Sequence, residues 1–442
     1  MRNVSKEKFN DFILKCGPVA LFSALTGFLG GALVVVYNCI ADVIVHNSLL
    51  LYSAFAKRPV FIPLLFVILI TLAFLSFVLL KALPRVKGTK IPREDDTAFK
   101  LSWWQTILAK IFGSFISFFA GLSLGVEGPA TAMGSSVGVG VSGLIKSRRL
   151  SSKDKEEITS LVAESGVTSA LTAIFNAPLA GISFVIEELE HQVSALLIVA
   201  LTFGATTSLF TSYALRKLLD LPERIFAISL PTMPVSYLWI IVIVGVILGI
   251  LATLYTKLIK AFSKPNFLKK VPVVIKLIAV FLVTGVVGIF LTNALGGGGF
   301  VIRELLSVDF PWWILLVMLL VKSLLTAFAL SSSAHGGLLM PTLAIGAIAG
   351  ALLGKLALSL GVPGDYYAVF VIAGALSFFG GTYRAPISAI LLAIELTGSV
   401  TGIVSVGVEI IVAFIVAELM LKIPYRAIYN KIKVKVLRNA NE

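Results

Sequence analysis

One carboxylate stands alone in apolar text. Glu127 lies in Gly125-Val126-Glu127-Gly128-Pro129, and residues 112–124 and 134–145 on either side carry no charge. An ionised side chain at membrane depth costs about 3 kcal/mol or more, so such residues face a bundle interior or a water pathway. Gly125 and Gly128 free the backbone to leave the helical region, and Pro129 suits the first turn of a new helix. The pattern predicts a helix that breaks and a second that starts inside the membrane with its N–H groups free. Such an end carries roughly half a positive charge and attracts anions. Glu127, placed there, can occupy the anion's path when ionised and vacate it when protonated. It is expected to be a gate set by protons.

Other residues fit the same chemistry. An anion inside a membrane must exchange its water for N–H and O–H donors, without so much full charge that it cannot leave. Two further Gly/Pro loops, Gly88-Thr89-Lys90-Ile91-Pro92 and Gly337-Leu338-Leu339-Met340-Pro341, offer fresh helix starts. Thr89 and the late Tyr425 offer hydroxyls. Glu187 and Glu188 close a short apolar run. A rival chemistry is written here too. Gly121-Leu122-Ser123-Leu124-Gly125 has the G-x-S-x-G form of a nucleophile elbow, and Ser123 with His335 would make an intramembrane serine-protease dyad. That alternative explains neither Glu127 nor Tyr425.

The elements that position these groups are membrane helices. Of 442 residues 58% are hydrophobic and only 14% charged, against roughly 25% in soluble domains. Mean hydropathy is +0.99. The net charge of +14 comes from basic clusters at 146–149, 257–270 and 422–438. That is the distribution of cytoplasmic linkers in a multi-pass protein, with attraction to anionic lipid in addition, and it argues against a nucleic-acid partner. Cys16 and Cys39 predict neither a disulfide nor a metal site, and no cofactor is expected. The polar start and the long apolar region after it argue against a cleaved signal peptide.

Ordinary spans are expected at residues 16–40, 59–80, 103–124, 193–215, 237–257, 274–295, 312–329 and 403–420, with a small-residue helix ending near 360. Residues 147–157 read as a charged linker. Residues 158–175 and 180–186 read as buried half-helices, too short or too rich in small residues to span. A basic amphipathic helix is expected from Lys422 onward.

Two internal matches set the architecture. Gly125-x-x-x-Pro129-x-x-x-x-Gly134 recurs as Gly337-x-x-x-Pro341-x-x-x-x-Gly346, an offset of 212. Asn176-Ala177-Pro178 through Glu187 recurs as Arg384-Ala385-Pro386 through Glu395, an offset of 208. Two ordered, near-equal offsets predict one half duplicated. Residues 1–190 are then a first inverted repeat, 191–421 a second, and 422–442 a cytoplasmic tail. Gly/Pro-interrupted segments at matching places point to a binding site near the midplane. The expected fold class is an all-α polytopic membrane protein with broken half-helices meeting there.

These motifs, in this order, resemble those of the CLC chloride channel and transporter family over essentially the whole hydrophobic length. The family's loops G-S-G-I-P, G-[KR]-E-G-P and G-x-F-x-P stand here as the loops at Gly88, Gly125 and Gly337, with Asn176-Ala177-Pro178, Arg384-Ala385-Pro386 and Tyr425 beside them. The resemblance implies proton-coupled antiport of chloride or a similar halide or nitrate. Glu127 would be the gate and Glu188 the internal proton-transfer glutamate. Thr89, Ile91, Gly128, Leu338, Leu339 and Tyr425 would line the anion sites. It also implies a homodimer with one pathway per subunit, in a prokaryotic inner or plasma membrane. Alternatives within the resemblance are a passive voltage- or pH-gated channel and a fluoride/proton antiporter. Three departures bear on selectivity: Thr89 for serine, Lys90 for the second glycine, and Val126 for the cation beside the gate. Lys90 and Glu187 are candidate charge modulators, and Glu395, matched to Glu187, is expected to be structural.

Overall fold

The computed structural model describes residues 2–83, 102–146, 150–189, 193–222, 226, 228–263 and 271–422. Thr89, Lys90, Ile91, Tyr425 and the basic tail lie outside the described residues. Fifteen α-helices carry the described chain. They are α1 (Arg2–Lys57), α2 (Ile62–Ala82), α3 (Trp103–Phe119), α4 (Glu127–Ser142), α5 (Ser152–Phe175), α6 (Pro178–Phe184), α7 (Ala195–Leu218) and α8 (Leu238–Ser263). The rest are α9 (Val273–Phe290), α10 (Gly299–Ser307), α11 (Trp312–Ser331), α12 (Leu339–Ser359), α13 (Tyr367–Tyr383), α14 (Pro386–Thr397) and α15 (Ile403–Lys422). No strand is present among the described residues, and ten of the helices are long and apolar enough to cross a membrane. The molecule is a multi-pass integral membrane protein.

Burial sorts the helices by depth in the bundle. In α2, Leu65, Leu69, Ala73, Ser76 and Leu80 face inward at helical spacing, while Leu64, Val67, Phe74, Leu75 and Val78 are exposed, as lipid contact requires. By contrast most residues along α5 and along the segment Gly364–Tyr383 are buried, although both are long enough to span. Such helices cross closely through small residues. Gly134 of α4 meets Gly166 of α5 backbone to backbone. The equivalent positions repeat the contact: a side chain on Gly374 of α13 would stand 2.8 Å from the Gly346 carbonyl of α12.

Two expectations are corrected. The region 158–175 is no half-helix. Helix α5 starts at Ser152, and the supposed charged linker supplies its first turns. Ser151 and Asp154 form a reciprocal capping box, with Asp154 N–H donating to Ser151 Oγ (3.1 Å) and Ser151 N–H to Asp154 Oδ2 (3.0 Å). Lys15 of α1 pairs with Asp154 and Glu157, each at 2.9 Å, so these charges dock the helix. The first span is also longer than residues 16–40, since α1 continues to Lys57 through Asp42, His46 and Asn47. Its extra turns have work to do at the end of α3. Ser48 Oγ donates to the Phe119 carbonyl (2.8 Å) and Tyr52 Oη to that of Ala120 (2.9 Å). These satisfy acceptors that a helix C-terminus leaves open. Gly121, at φ 74°, then turns the chain toward the Gly125 loop.

Candidate functional site

The site is built where two broken helices meet. Gly125 N–H donates to the Gly337 carbonyl (2.8 Å), and Gly337 N–H to the Gly125 carbonyl (2.6 Å). These glycines are the matched positions of the two sequence repeats. Two residues beyond each, α4 begins at Glu127 and α12 at Leu339, with Val126 and Leu338 as N-caps that offer no side-chain hydrogen bond. Two helix N-termini therefore face a shared space with amides to give. Side chains cannot enter the junction: a Cβ on Gly337 would stand 2.5 Å from the Gly128 nitrogen and 2.7 Å from Glu127 Oε2.

Glu127 sits at this junction, 2% exposed. Its carboxylate points across the gap at the Met340 amide of α12, yet neither oxygen closes a hydrogen bond of ordinary geometry. Glu127 is thus a buried carboxylate set among backbone amides of two helix starts. Gly128 abuts the Gly337 backbone, and Leu338 and Leu339 form the N-cap and first residue of α12.

Glu187 and Glu188 separate. After α6 the chain makes a π-helical turn, Val185–Leu189, a geometry frequent at functional sites. Glu187 accepts from Ile387 N–H (3.0 Å) and Ser388 N–H (2.8 Å) at the start of α14, and from the Ser388 hydroxyl. Glu395 of α14 returns the contact, accepting from Leu179 N–H (3.0 Å) and Ala180 N–H (2.8 Å) at the start of α6. Each short helix caps the other. Such reciprocity is what a twofold relation between matched halves produces. Glu187, expected as a candidate charge modulator, is engaged as a helix cap; Glu188 is half-buried and lies within charge-interaction range of Tyr383 at the end of α13. A hydrogen bond to a charged group contributes about 1.5–3 kcal/mol, less where water reaches it. Glu187→Ala and Glu395→Ala are each expected to lower the melting temperature in detergent by several degrees. Unchanged melting in both variants would show that the caps contribute nothing.

Ser123 and His335 form no dyad. The buried Ser123 hydroxyl pairs with that of Thr326 on α11 (2.8 Å), while the His335 ring packs over Gly113 on α3.

Charged residues inside spans were the signal left unused. Lys322 of α11 is fully buried, and its ammonium donates to the carbonyls of Gly296 (2.9 Å) and Ala294 (3.1 Å). That fixes the four-glycine loop, whose Gly296 N–H donates to the Gly121 carbonyl (3.0 Å) and whose Gly297 backs onto Gly125. Lys322 thus braces the loop behind Gly125. Lys110 of α3 and Glu409 of α15 are also buried; Glu409 accepts from the Ser377 hydroxyl (3.2 Å).

The sequence profile described as Voltage gated chloride channel matches residues 72–418. The chain belongs to that family. Among its CLC relatives, the H(+)/Cl(-) exchange transporter ClcA of Vibrio campbellii is 30% identical over 417 residues, covering 90% of this chain and 86% of that protein. The ClcA exchanger of Yersinia pseudotuberculosis is 29% identical over 398 residues, covering 86% and 80%. The CLC fold is shared with the crystal structure of a slow cyanobacterial Cl-/H+ antiporter (TM-score 0.79, 24% identity, 96% of this chain and 99% of that one). It is also shared with a CLC-type fluoride/proton antiporter (TM-score 0.70, 21% identity, 91% and 95%).

Proposed function

We propose that this CLC protein is a proton-coupled antiporter of chloride or a similar halide or nitrate, in a prokaryotic inner or plasma membrane. The observation that carries the reading is Glu127, a buried carboxylate between two helix N-termini with no closed hydrogen bond. An exchanger needs such a group, because proton and anion must compete for one position. The H(+)/Cl(-) exchange of the ClcA relatives from Vibrio and Yersinia supports the same conclusion.

In this scheme an anion is held by amides near Gly128, Leu338 and Leu339, together with Thr89, Ile91 and Tyr425. The Glu127 carboxylate takes the anion's place at the amides when ionised, and a proton releases it. Glu188 supplies that proton from the other side. Val126 offers no cation beside the gate, so amide dipoles carry more of the attraction, and Lys90 is the nearest basic residue of the first loop in sequence. The working unit is a homodimer with one pathway per subunit. Purified protein in liposomes, under an outward chloride gradient with external pH and chloride recorded together, is expected to move protons inward against their gradient. Chloride efflux without any proton movement would make the protein a passive channel.

A further inference from the structure

A cluster of aromatic rings packs one turn before Glu188. Phe184 of α6 lies one turn before Glu188 and packs on Phe379 and Tyr383 of α13, with ring centroids 6.0 and 5.6 Å away. Phe379 and Tyr383 are 5.0 Å apart. The crevice beside them, lined by Phe184, Phe379, Ala180 and Leu392, reaches from Ser388 to Leu339 at the start of α12. Most of this lining is hydrocarbon, and hydrocarbon cannot hand on a proton.

Tyr383 supplies what the other rings lack. Its hydroxyl lies within charge-interaction range of both Glu127 and Glu188, beside the hydroxyl of Thr342. Thr342 is in the first turn of α12, two residues after the Met340 amide that faces Glu127. It donates to the Leu338 carbonyl (2.8 Å), which leaves its oxygen able to accept from Tyr383. The ring stacking fixes where the phenol sits. Another tyrosine in range of Glu127, Tyr37 of α1, shares its hydroxyl with Ser114 (2.8 Å).

We propose that the Tyr383 hydroxyl is a proton relay between Glu188 and Glu127, set in the aromatic cluster of Phe184 and Phe379. The proposal rests on the antiport reading and names a further group in it. One lone pair of the phenol oxygen takes a proton from the Glu188 side, and the O–H bond on the opposite side breaks as its proton passes toward Thr342 and Glu127. Water completes the chain at either end. The oxygen is neutral before and after, and rotation about the C–O bond resets it.

The test is Tyr383→Phe, which keeps the ring and removes only the hydroxyl. In liposomes with a chloride gradient, its proton flux is expected to fall at least about tenfold further than its chloride flux, within the ~10²-fold that a positioned proton-transfer group contributes. Proton and chloride fluxes that stay at the wild-type ratio overturn the relay. So does an equal loss of chloride flux when Tyr383→Phe is placed in Glu127→Gln, because the hydroxyl would then serve the anion path or the packing. A wild type that moves no protons overturns the antiport reading first, and the relay with it.

Discussion

Glu127→Gln is expected to leave anion flux at or above the wild-type rate and to abolish proton movement. Glutamine has nearly the shape of the protonated acid, so the junction of Gly125, Gly337 and Gly128 has no cause to rearrange. It cannot take up or release a proton. It also brings an NH₂ group into a space already lined by N–H donors, from Met340 and the starts of α4 and α12. Two sets of donors repel, whereas the wild-type carboxylate is attracted to them. The side chain is therefore expected to stay out of the anion's place, and chloride meets an open path. Proton flux should drop by about 100-fold or more, the size expected when the group that takes the proton is removed. The measurement is paired recording of chloride and pH outside proteoliposomes. A glutamine variant that still drives protons uphill on a chloride gradient would remove Glu127 from the gate.

Much of this architecture was written in repeat spacing. The offset from Gly125 to Gly337 became a pair of hydrogen bonds between those very residues. The match of Asn176 to Arg384 became two left-handed helix ends, at φ 52° and 60°, each followed by Ala-Pro and a short helix. Periodicity and Gly/Pro punctuation act locally, so they can be read before any contact is known. Features that depend on partners stayed hidden. Nothing near Glu187 says that its oxygens reach the amides of Ile387 and Ser388, because that needs α6 and α14 side by side. Charge misled at 147–157: polar text looks like linker, yet Ser151-x-x-Asp154 is a helix-start signature, and Lys15 neutralises Asp154 and Glu157. Lys110 and Lys322 were readable as cations within apolar spans, the same argument that singled out Glu127. Tyr383 left no such trace, since a tyrosine near a helix end is ordinary until its neighbours are seen.

Glu188→Gln separates exchanger from channel. In an exchanger, protons would reach Glu127 from the far side without following the anion, which calls for a second carboxylate off the anion's path. Neighbouring residues on a helical turn point in different directions, whether the turn is α or π. Glu187 is held by the α14 amides, and Glu188 is directed elsewhere, within range of Tyr383 and only half-buried. A carboxylate within the bundle is tolerated where water or a partner reaches it. Glutamine at this position cannot collect protons but disturbs neither the Gly125–Gly337 junction nor the reciprocal caps. Chloride movement should persist, and proton movement should fall by about 100-fold. The reversal potential of the wild type should shift with the pH gradient, and that of the variant should follow chloride alone. If Glu188→Gln keeps the wild-type shift, the internal proton enters by another group. If the wild type shows no shift, the protein is a passive anion channel that carries a glutamate at this position for some other purpose.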